Sequence, residues 1–250
     1  MSKPHETSES PPRAALDVII PVYNEGENII DVLEGLRRHV RTDFRIMICY
    51  DFDEDNTLEA LAGYPHAEAL NITYVKNTGE GVFGAVMTGF SQVQSDAVLV
   101  FPADDTFNAG IVDAMVERYR QGCDVVAASR FMKGGVMRGC PWLKAVLVRS
   151  AAFTLYYVAR LPTHDPTSGF KLFSRRLIDT ITPTTRHGWA FCLELVVKCH
   201  RMGWPIGEVP AVWFERTKGT SRFRVIRWLP QYLKWYRYAF ATTYLRRRAV

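Results

Sequence analysis

The stretch that decides the fold is LDVIIPVYNEGENIIDVLEGLRRHV, residues 16–40. Its first seven residues are apolar except for Asp17, which predicts a buried strand. After Asn24, apolar residues recur at 29, 30, 32, 33, 36 and 40, which is a helical period. Asn24 with Glu27 three residues later is a typical N-terminal capping signal, so we expect the helix to begin there. The stretch therefore predicts a strand followed directly by a helix.

The same order of strand and helix recurs along the chain. Further strands are predicted at 45–50, 72–75, 97–101 and 124–128, and each is followed by a polar or glycine-rich segment. Five such units predict an α/β fold with a mainly parallel sheet flanked by helices. Ligands of such sheets bind beyond the carboxyl ends of the strands, so the polar clusters at the five strand ends are expected to meet at one edge.

Composition limits the class of protein. A chain of 250 residues with 48% hydrophobic content fits one large α/β domain. Lys and Arg number 31 against 26 Asp and Glu, and the excess lies near the C-terminus, which predicts an anionic partner met by one face. We expect no nucleic acid among the partners. The glycine-rich segment GEGVFG matches neither a P-loop nor a dinucleotide fingerprint, which excludes those nucleotide sites. Five cysteines without metal-binding spacing predict reduced thiols and a cytoplasmic location.

The two ends of the chain differ from the middle. Residues 1–15 are polar and rich in Pro and Ser, so they are expected to form a disordered tail rather than a signal peptide. No uncharged apolar run is long enough to span a bilayer, and residues 145–161 are expected to form a core or interfacial helix. Residues 224–250 predict basic amphipathic helices divided at Pro230. We expect them to lie at a membrane interface, although a helix that packs on its own sheet has the same pattern.

Five segments together carry a family resemblance. They are VIIPVYNEGENI (18–29), DFDEDNT (51–57), ASR (128–130), DPTSGFKLF (165–173) and EVPAVWFERTKGTSRF (208–223). In this order they resemble the motifs of GT-A fold glycosyltransferases of the dolichyl-phosphate mannose synthase type, which transfer a sugar from a nucleotide to a polyprenyl phosphate. The resemblance covers 16–223 and implies a GT-A, Rossmann-like domain over that range.

The resemblance implies an inverting transfer of a hexose, mannose or glucose, at the cytosolic face of a membrane on which the enzyme is peripheral. It assigns one group of residues to the nucleotide sugar: Pro21, Tyr23, Glu25, Asp51, Lys76, Asp104 and Arg130. It assigns another group to the acceptor phosphate: Lys144, Arg149, Lys171, Arg216, Ser221 and Arg222. Arginine suits this task because its planar fork can bind phosphate through two bonds.

The metal motif departs from the family pattern. The family carries Asp-x-Asp after its fourth strand, but here Pro102 replaces the first Asp and Thr106 stands in the place of a Gln. Asp104 is the matched carboxylate and Asp105 is an additional one. We expect both to hold Mg²⁺ or Mn²⁺, which would neutralise the leaving nucleoside diphosphate, with Arg130 as the third catalytic residue. The alternative is that these carboxylates only cap the helix that follows.

Two other functions are compatible with these residues. The same fold could transfer a sugar to a saccharide or another non-lipid hydroxyl, which requires a general base such as Asp105 or Glu194. A phosphate acceptor needs no strong base because its oxygen is already anionic. The third possibility is a catalytically silent subunit that binds nucleotide sugar or lipid, as the missing first Asp of the metal motif suggests.

Overall fold

The structure is a computed structural model that describes residues 15–214 and 225–244. Residues 1–14 of the expected tail lie outside this range. So do three residues assigned to the acceptor phosphate, Arg216, Ser221 and Arg222.

Seven strands form the main sheet and two form a small parallel ladder. In chain order the strands are β1 (Leu16–Pro21), β2 (Phe44–Tyr50), β3 (Ile72–Lys76), β4 (Ala97–Val100), β5 (Val125–Ser129), β6 (Val136–Arg138), β7 (Lys171–Ser174), β8 (Ile206–Pro210) and β9 (Val212–Phe214). The main sheet has the order β3-β2-β1-β4-β7-β5-β8, and β6 pairs with β9. All pairings are parallel except those of β7, which is antiparallel to both β4 and β5. The expected mainly parallel α/β sheet is confirmed.

Helices cover both faces of the sheet. Within the described ranges they are α1 (Asn28–His39), α2 (Asn56–Ala62), α3 (Gly81–Ser91), α4 (Val112–Arg120), α5 (Trp142–Phe153), α6 (Arg175–Thr180), α7 (Ala190–Arg201) and α8 (Val225–Tyr244). A π-helical turn, Thr154–Val158, extends α5. None of the described helices is both long enough and apolar enough to cross a membrane.

The sheet separates two hydrophobic layers, and β1 contributes to both. Val18 and Ile20 pack in the layer with α1 and α4, whereas Ile19 packs in the layer with α3 and α7. Successive side chains of a strand point to opposite faces, so a strand covered on both faces is largely apolar. This explains why residues 16–22 are apolar except for Asp17, whose buried carboxylate pairs with Nε of Arg45 at 2.8 Å.

Four strands were not expected from the sequence: β6 and β9 of the small ladder, and β7 and β8 of the main sheet. The segment that contains β7 was interpreted only as a motif, and β8 was not recognised. β7 begins with a lysine and ends with a serine, so only Leu172 and Phe173 are apolar, whereas the equally short parallel strand β4 is apolar throughout. Its place between β4 and β5 follows from tertiary pairing rather than from local pattern.

Two predicted helix boundaries were wrong. α1 begins at Asn28 rather than after Asn24, because Asn24 adopts a left-handed conformation (φ 52°) and its N–H donates to Asp55 at 3.0 Å. Pro230 does not divide the C-terminal segment, because α8 continues through it. A proline removes one backbone donor, and the rest of α8 is held by Trp235 and Ala239, which are buried in the layer that also contains α7.

Candidate active site

The carboxyl ends of β1 to β5 lie at one edge of the main sheet, as expected. β1 to β4 are mutually parallel, and β7 runs antiparallel between β4 and β5, which restores the common direction for β5. The polar clusters that follow these five strands therefore share an edge. This edge forms the candidate active site.

Tyr23 and Asp51 lie at the ends of the adjacent strands β1 and β2. The ring of Tyr23 is half exposed and meets that of Phe52 edge to face, at 5.4 Å between centroids. Asp51 accepts a hydrogen bond from Nδ2 of Asn77 at 2.6 Å. Pro21 is the last residue of β1 and is partly exposed beside them. The arrangement presents an aromatic ring and an oriented carboxylate at the end of the sheet.

Asp55 is a structural residue of this edge. It is buried, caps α2 by accepting from the N–H of Thr57 at 2.9 Å, and accepts from the N–H of Asn24. Glu25 lies in the same connection, where its N–H donates to the hydroxyl of Thr57 at 3.0 Å. These bonds fix the segment that follows β1 against the segment that follows β2.

The turn after β3 is built around Asn77 and two glycines. Oδ1 of Asn77 accepts from the N–H of Gly79 at 2.8 Å. A Cβ atom at Gly84 would lie 2.7 Å from the backbone carbonyl carbon of Gly79, so only glycine fits where α3 packs against this turn. Lys76, which was assigned to the nucleotide sugar, is exposed and forms an ion pair with Asp53.

The two carboxylates after β4 have different environments. Asp104 is exposed at the end of the strand. Asp105 faces inward: Oδ1 accepts from the N–H groups of Phe107 and Asn108 at 3.0 and 2.9 Å, and Oδ2 accepts from Nδ2 of Asn108 at 2.7 Å. Burial raises the pKa of Asp105 in spite of these bonds. Asp105 therefore shapes the turn, and Asp104 is the carboxylate that faces outward.

A divalent cation fits this edge only if the substrate completes its ligand shell. No cluster of three or more His, Cys, Asp or Glu suited to a metal occurs in residues 15–214 or 225–244. Mg²⁺ commonly uses one or two protein carboxylates together with phosphate and water oxygens. The carboxylate of Asp104, at the strand end where a ligand would bind, is compatible with that mode of binding.

Arg130 forms a buried ion pair with Asp165. Nε and Nη2 of Arg130 donate to the two carboxylate oxygens at 2.6 and 2.9 Å, and the N–H of Arg130 donates to Oδ2 at 3.1 Å. Burial alone would raise the pKa of Asp165, but the adjacent guanidinium outweighs it and the pKa is lowered. A Cβ at Gly135 would lie 2.5 Å from the carbonyl oxygen of Ser129, so a glycine is needed where the chain passes Arg130.

Lys171 is buried and does not reach an open surface. It begins β7, and its Nζ donates to the carbonyl oxygens of Ser168 and Asp165, the latter at 3.4 Å. Burial lowers the pKa of Lys171 to about 8. The geometry therefore connects Lys171 to the 165–168 segment that holds Arg130, and does not place it in contact with an acceptor phosphate.

Lys144 and Arg149 both lie on α5. Nζ of Lys144 lies 5.2 Å from the ring centroid of Trp213 in β9, which brings α5 beside the small ladder. Arg149 is exposed one and a half turns further along the helix. Much of this helix is apolar and exposed, including Trp142 at 76% and Leu143 at 56%.

Glu194, one of the two candidate bases, is fully buried in α7. Its carboxylate accepts from the N–H groups of Thr184 and Thr185 at 2.6 and 2.8 Å, and pairs with Nζ of Lys198 at 2.7 Å. Burial alone would raise the pKa of Glu194, but the hydrogen bonds from Lys198 and the backbone outweigh it, and the pKa is lowered. Glu194 therefore anchors the 184–185 backbone.

Three residues of this edge were missed by sequence reasoning. Asn77 orients Asp51, Asn108 holds Asp105, and Asp165 holds Arg130. Each lies inside a segment that the sequence analysis identified, close in sequence to a charged residue that was assigned to the site. A polar side chain near a charged residue in such a segment is the sequence signal that could have identified them.

The comparisons with known proteins agree with this architecture. Residues 17–182, more than half of the chain, match the model of "Glycosyl transferase family 2". Polyprenol monophosphomannose synthase of Mycolicibacterium smegmatis is 26% identical over 211 residues, covering 82% of this chain and 79% of that protein. Dolichol-phosphate mannosyltransferase of Pyrococcus furiosus is 25% identical over 236 residues, covering 88% of this chain and 64% of that protein.

Solved structures establish the fold class. Glucosyl-3-phosphoglycerate synthase from Mycobacterium tuberculosis, in complex with UDP, superposes with a TM-score of 0.65 at 16% identity, covering 91% of this chain and 80% of that one. The same enzyme has been solved with Mn²⁺, UDP and phosphoglyceric acid, again with a TM-score of 0.65. The fold is the GT-A, Rossmann-like fold. The chain is a glycosyltransferase and belongs to glycosyl transferase family 2.

Proposed function

We propose that the protein transfers a hexose, mannose or glucose, from a nucleotide sugar to a polyprenyl phosphate with inversion at the sugar carbon. The observation that carries the proposal is the exposed apolar face of α5, formed by Trp142, Leu143, Val146 and Leu147. These residues recur with helical spacing on one side of the helix. Lys144 lies on the same helix beside β9, so a cation and a lipid-compatible surface occur together at the site.

Large exposed apolar patches mark binding surfaces for proteins, membranes or ligands. A long-chain phosphate acceptor requires such a surface because its hydrocarbon chain must remain in lipid while its head reaches the enzyme. α5 can meet both needs, since Arg149 adds a second cation to an otherwise apolar helix. We therefore propose peripheral contact with the cytosolic face of a membrane through α5.

The two candidate general bases also support a phosphate acceptor. Glu194 is bound by two backbone N–H groups and Lys198, and both oxygens of Asp105 accept bonds from the turn that follows it. A hydroxyl acceptor needs a base to take its proton, whereas a phosphate monoester attacks as an anion. The internal bonding of both carboxylates favours the acceptor that needs no base.

Tyr23, Asp51 and Pro21 are proposed to contact the nucleotide, with Glu25 and Lys76 beside them. Asp104 would hold Mg²⁺ or Mn²⁺ together with the donor diphosphate. The cation would supply positive charge to the leaving nucleoside diphosphate. Arg130, fixed by Asp165 through Nε and Nη2, would direct its Nη1 donors toward the same phosphates. The names of the two mannosyltransferase relatives support this assignment.

The deciding experiment measures sugar transfer with GDP-mannose and UDP-glucose as donors and three acceptor conditions: polyprenyl phosphate, 3-phosphoglycerate, or none. We expect product only with polyprenyl phosphate, loss with EDTA, and recovery with Mg²⁺ or Mn²⁺. Asp104→Asn serves as the inactive control. Transfer to 3-phosphoglycerate alone would assign a soluble acceptor, and donor binding without transfer to either acceptor would identify a silent subunit.

A further inference from the structure

The turn after β4 is joined to β9 by the side chain of Asn108. Its Nδ2 donates to the carbonyl oxygen of Val212 at 2.7 Å, and its Oδ1 accepts from the N–H of Val212 at 2.9 Å. The same amide nitrogen donates to Asp105. Asn108 is almost fully buried, and a buried amide with both ends bonded fixes the position of the two segments it joins.

The neighbours of this junction form an exposed aromatic pair. Phe107 precedes Asn108 and Phe214 ends β9, and their ring centroids are 4.9 Å apart with an interplanar angle of 53°. Phe107 is 60% exposed and Phe214 is 41% exposed. Neither ring fills the core, so their contact presents an apolar surface to the outside. Aromatic rings of this kind give large binding contributions when a ligand covers them.

A cation lies beside the aromatic pair. Arg138 is the register partner of Phe214 in the β6–β9 ladder. Side chains of paired residues in neighbouring strands project to the same face of a ladder. Arg138 is exposed, so its guanidinium lies on the face that carries the ring of Phe214. An apolar surface and a phosphate-binding group therefore occur next to each other.

The position of this surface relates it to the active site. Phe107 follows Asp104 by three residues, in the turn at the carboxyl end of β4. Phe214 directly precedes residues 215–224, which contain the predicted acceptor segment. The aromatic pair thus joins the turn that carries the proposed cation site to the strand that precedes that segment in the sequence.

We infer that Phe107, Phe214 and Arg138 recognise the first isoprene unit of the acceptor together with its phosphate. The inference rests on the proposed function and identifies the residues that select the acceptor. An isoprenyl phosphate joins an anionic head directly to a flat, branched hydrocarbon, which matches a guanidinium beside two rings. A soluble phosphorylated acceptor would match Arg138 but would leave both rings exposed to water.

The test uses geranyl phosphate, a short acceptor that needs no membrane. Phe107→Ala and Phe214→Ala should each raise the KM for geranyl phosphate by about tenfold, because a pocket that loses apolar contact typically loses ten- to two-hundredfold. Phe107→Leu keeps an apolar side chain and should lose less. Arg138→Gln should also raise this KM, and the effect should diminish as salt rises. The affinity for the donor nucleotide, measured by calorimetry, should stay unchanged in all four variants.

Tyr74→Ala is the matched control, because Tyr74 is also an exposed aromatic residue but lies on the edge strand β3. It should leave the KM for geranyl phosphate unchanged. Unchanged KM values in the Phe107 and Phe214 variants would overturn the inference and leave the proposed function intact. A weaker affinity for the donor nucleotide in those variants would assign the rings to the donor and would also overturn the inference. A wild-type chain that uses neither geranyl nor polyprenyl phosphate would overturn both proposals.

Discussion

The guanidinium of Arg130 faces both carboxylate oxygens of Asp165, and the pair is shielded from solvent. The carboxylate is completely buried and the arginine side chain is 16% exposed. The pair joins the end of β5 to the loop before β7 and orients a residue that we assign to the donor phosphates. Its loss should therefore affect both folding and catalysis.

Asp165→Asn should lower the free energy of unfolding by about 3 to 5 kcal/mol, because removing one partner leaves a buried charge poorly compensated. Chemical denaturation measures this change, and transfer activity should fall with it. Asp179→Asn is the matched control, since Asp179 pairs with Arg175 at the surface and exposed pairs contribute about 1 kcal/mol or less. Equal effects of the two substitutions would contradict the structural role of the buried pair.

The two carboxylates after β4 should respond differently to the same substitution. Asp104→Asn should abolish metal-dependent transfer and leave the melting temperature unchanged, because Asp104 is exposed. Asp105→Asn should destabilise the protein by about 1 to 3 kcal/mol, because it removes an acceptor from the buried Asn108 amide.

Thermal unfolding and a titration of Mn²⁺ in the presence of nucleoside diphosphate separate these effects. A variant Asp105→Asn with normal stability and no Mn²⁺ binding would instead make Asp105 a metal ligand, as the sequence motif alone suggests.

The buried Lys171 should make stability depend on pH in the alkaline range. Burial lowers its pKa from 10.5 to about 8, so between these values the unfolded chain binds a proton that the folded chain does not. Stability contributed by this group therefore rises with pH through that window, and the cost of the buried charge is fully present below pH 8. Lys171→Met removes this dependence.

Relative to Lys171→Met, the unfolding free energy of the wild type should rise by roughly 3 kcal/mol from pH 8 to 10.5. Urea unfolding of both chains across this range measures it. A difference that stays constant with pH would show that Lys171 is neutral or charged throughout.

Membrane contact should depend on α5 rather than on α8. The double substitution Leu143→Ser and Leu147→Ser should reduce sedimentation with anionic liposomes and leave the fold intact, because both side chains are at least half exposed. Leu233→Ser tests one of the exposed apolar positions of α8 in the same way and should have little effect.

Trp235→Ala in α8 should instead destabilise the protein by about 3 to 5 kcal/mol, because this ring is only 4% exposed. Circular dichroism and liposome sedimentation distinguish the two helices. Loss of sedimentation in Leu233→Ser, with normal binding by the α5 variant, would return the membrane contact to the C-terminal helix.

The amino-acid sequence by itself determined the alternation of strands and helices and the positions of the polar clusters after the first five strands. Both follow from local pattern, because a short run such as 16–22, apolar except for Asp17, favours a strand covered on two faces, and the carboxyl ends of parallel strands lie at one edge. The motifs also determined the family and most of the segments that form the candidate site.

Tertiary structure decided which side chains face the site. Asp104 and Asp105 are neighbours in the sequence, but hydrogen bonds from Phe107 and Asn108 turn Asp105 inward. Lys171 and Arg130 both lie in the motifs that carry the resemblance. Lys171 is buried at the start of the antiparallel strand β7, whereas Arg130 is held by Asp165.

The same holds for the two amphipathic segments. The sequence predicted a membrane surface on the C-terminal helix. The structure buries one face of α8 through Trp235 and Ala239, leaves Leu229 and Leu233 exposed, and also exposes the apolar face of α5. A periodic pattern of apolar residues predicts which residues share a face of a helix, whereas the burial of that face depends on which other segments pack against it. That information is carried by contacts between segments distant in the chain, and only the folded structure contains them.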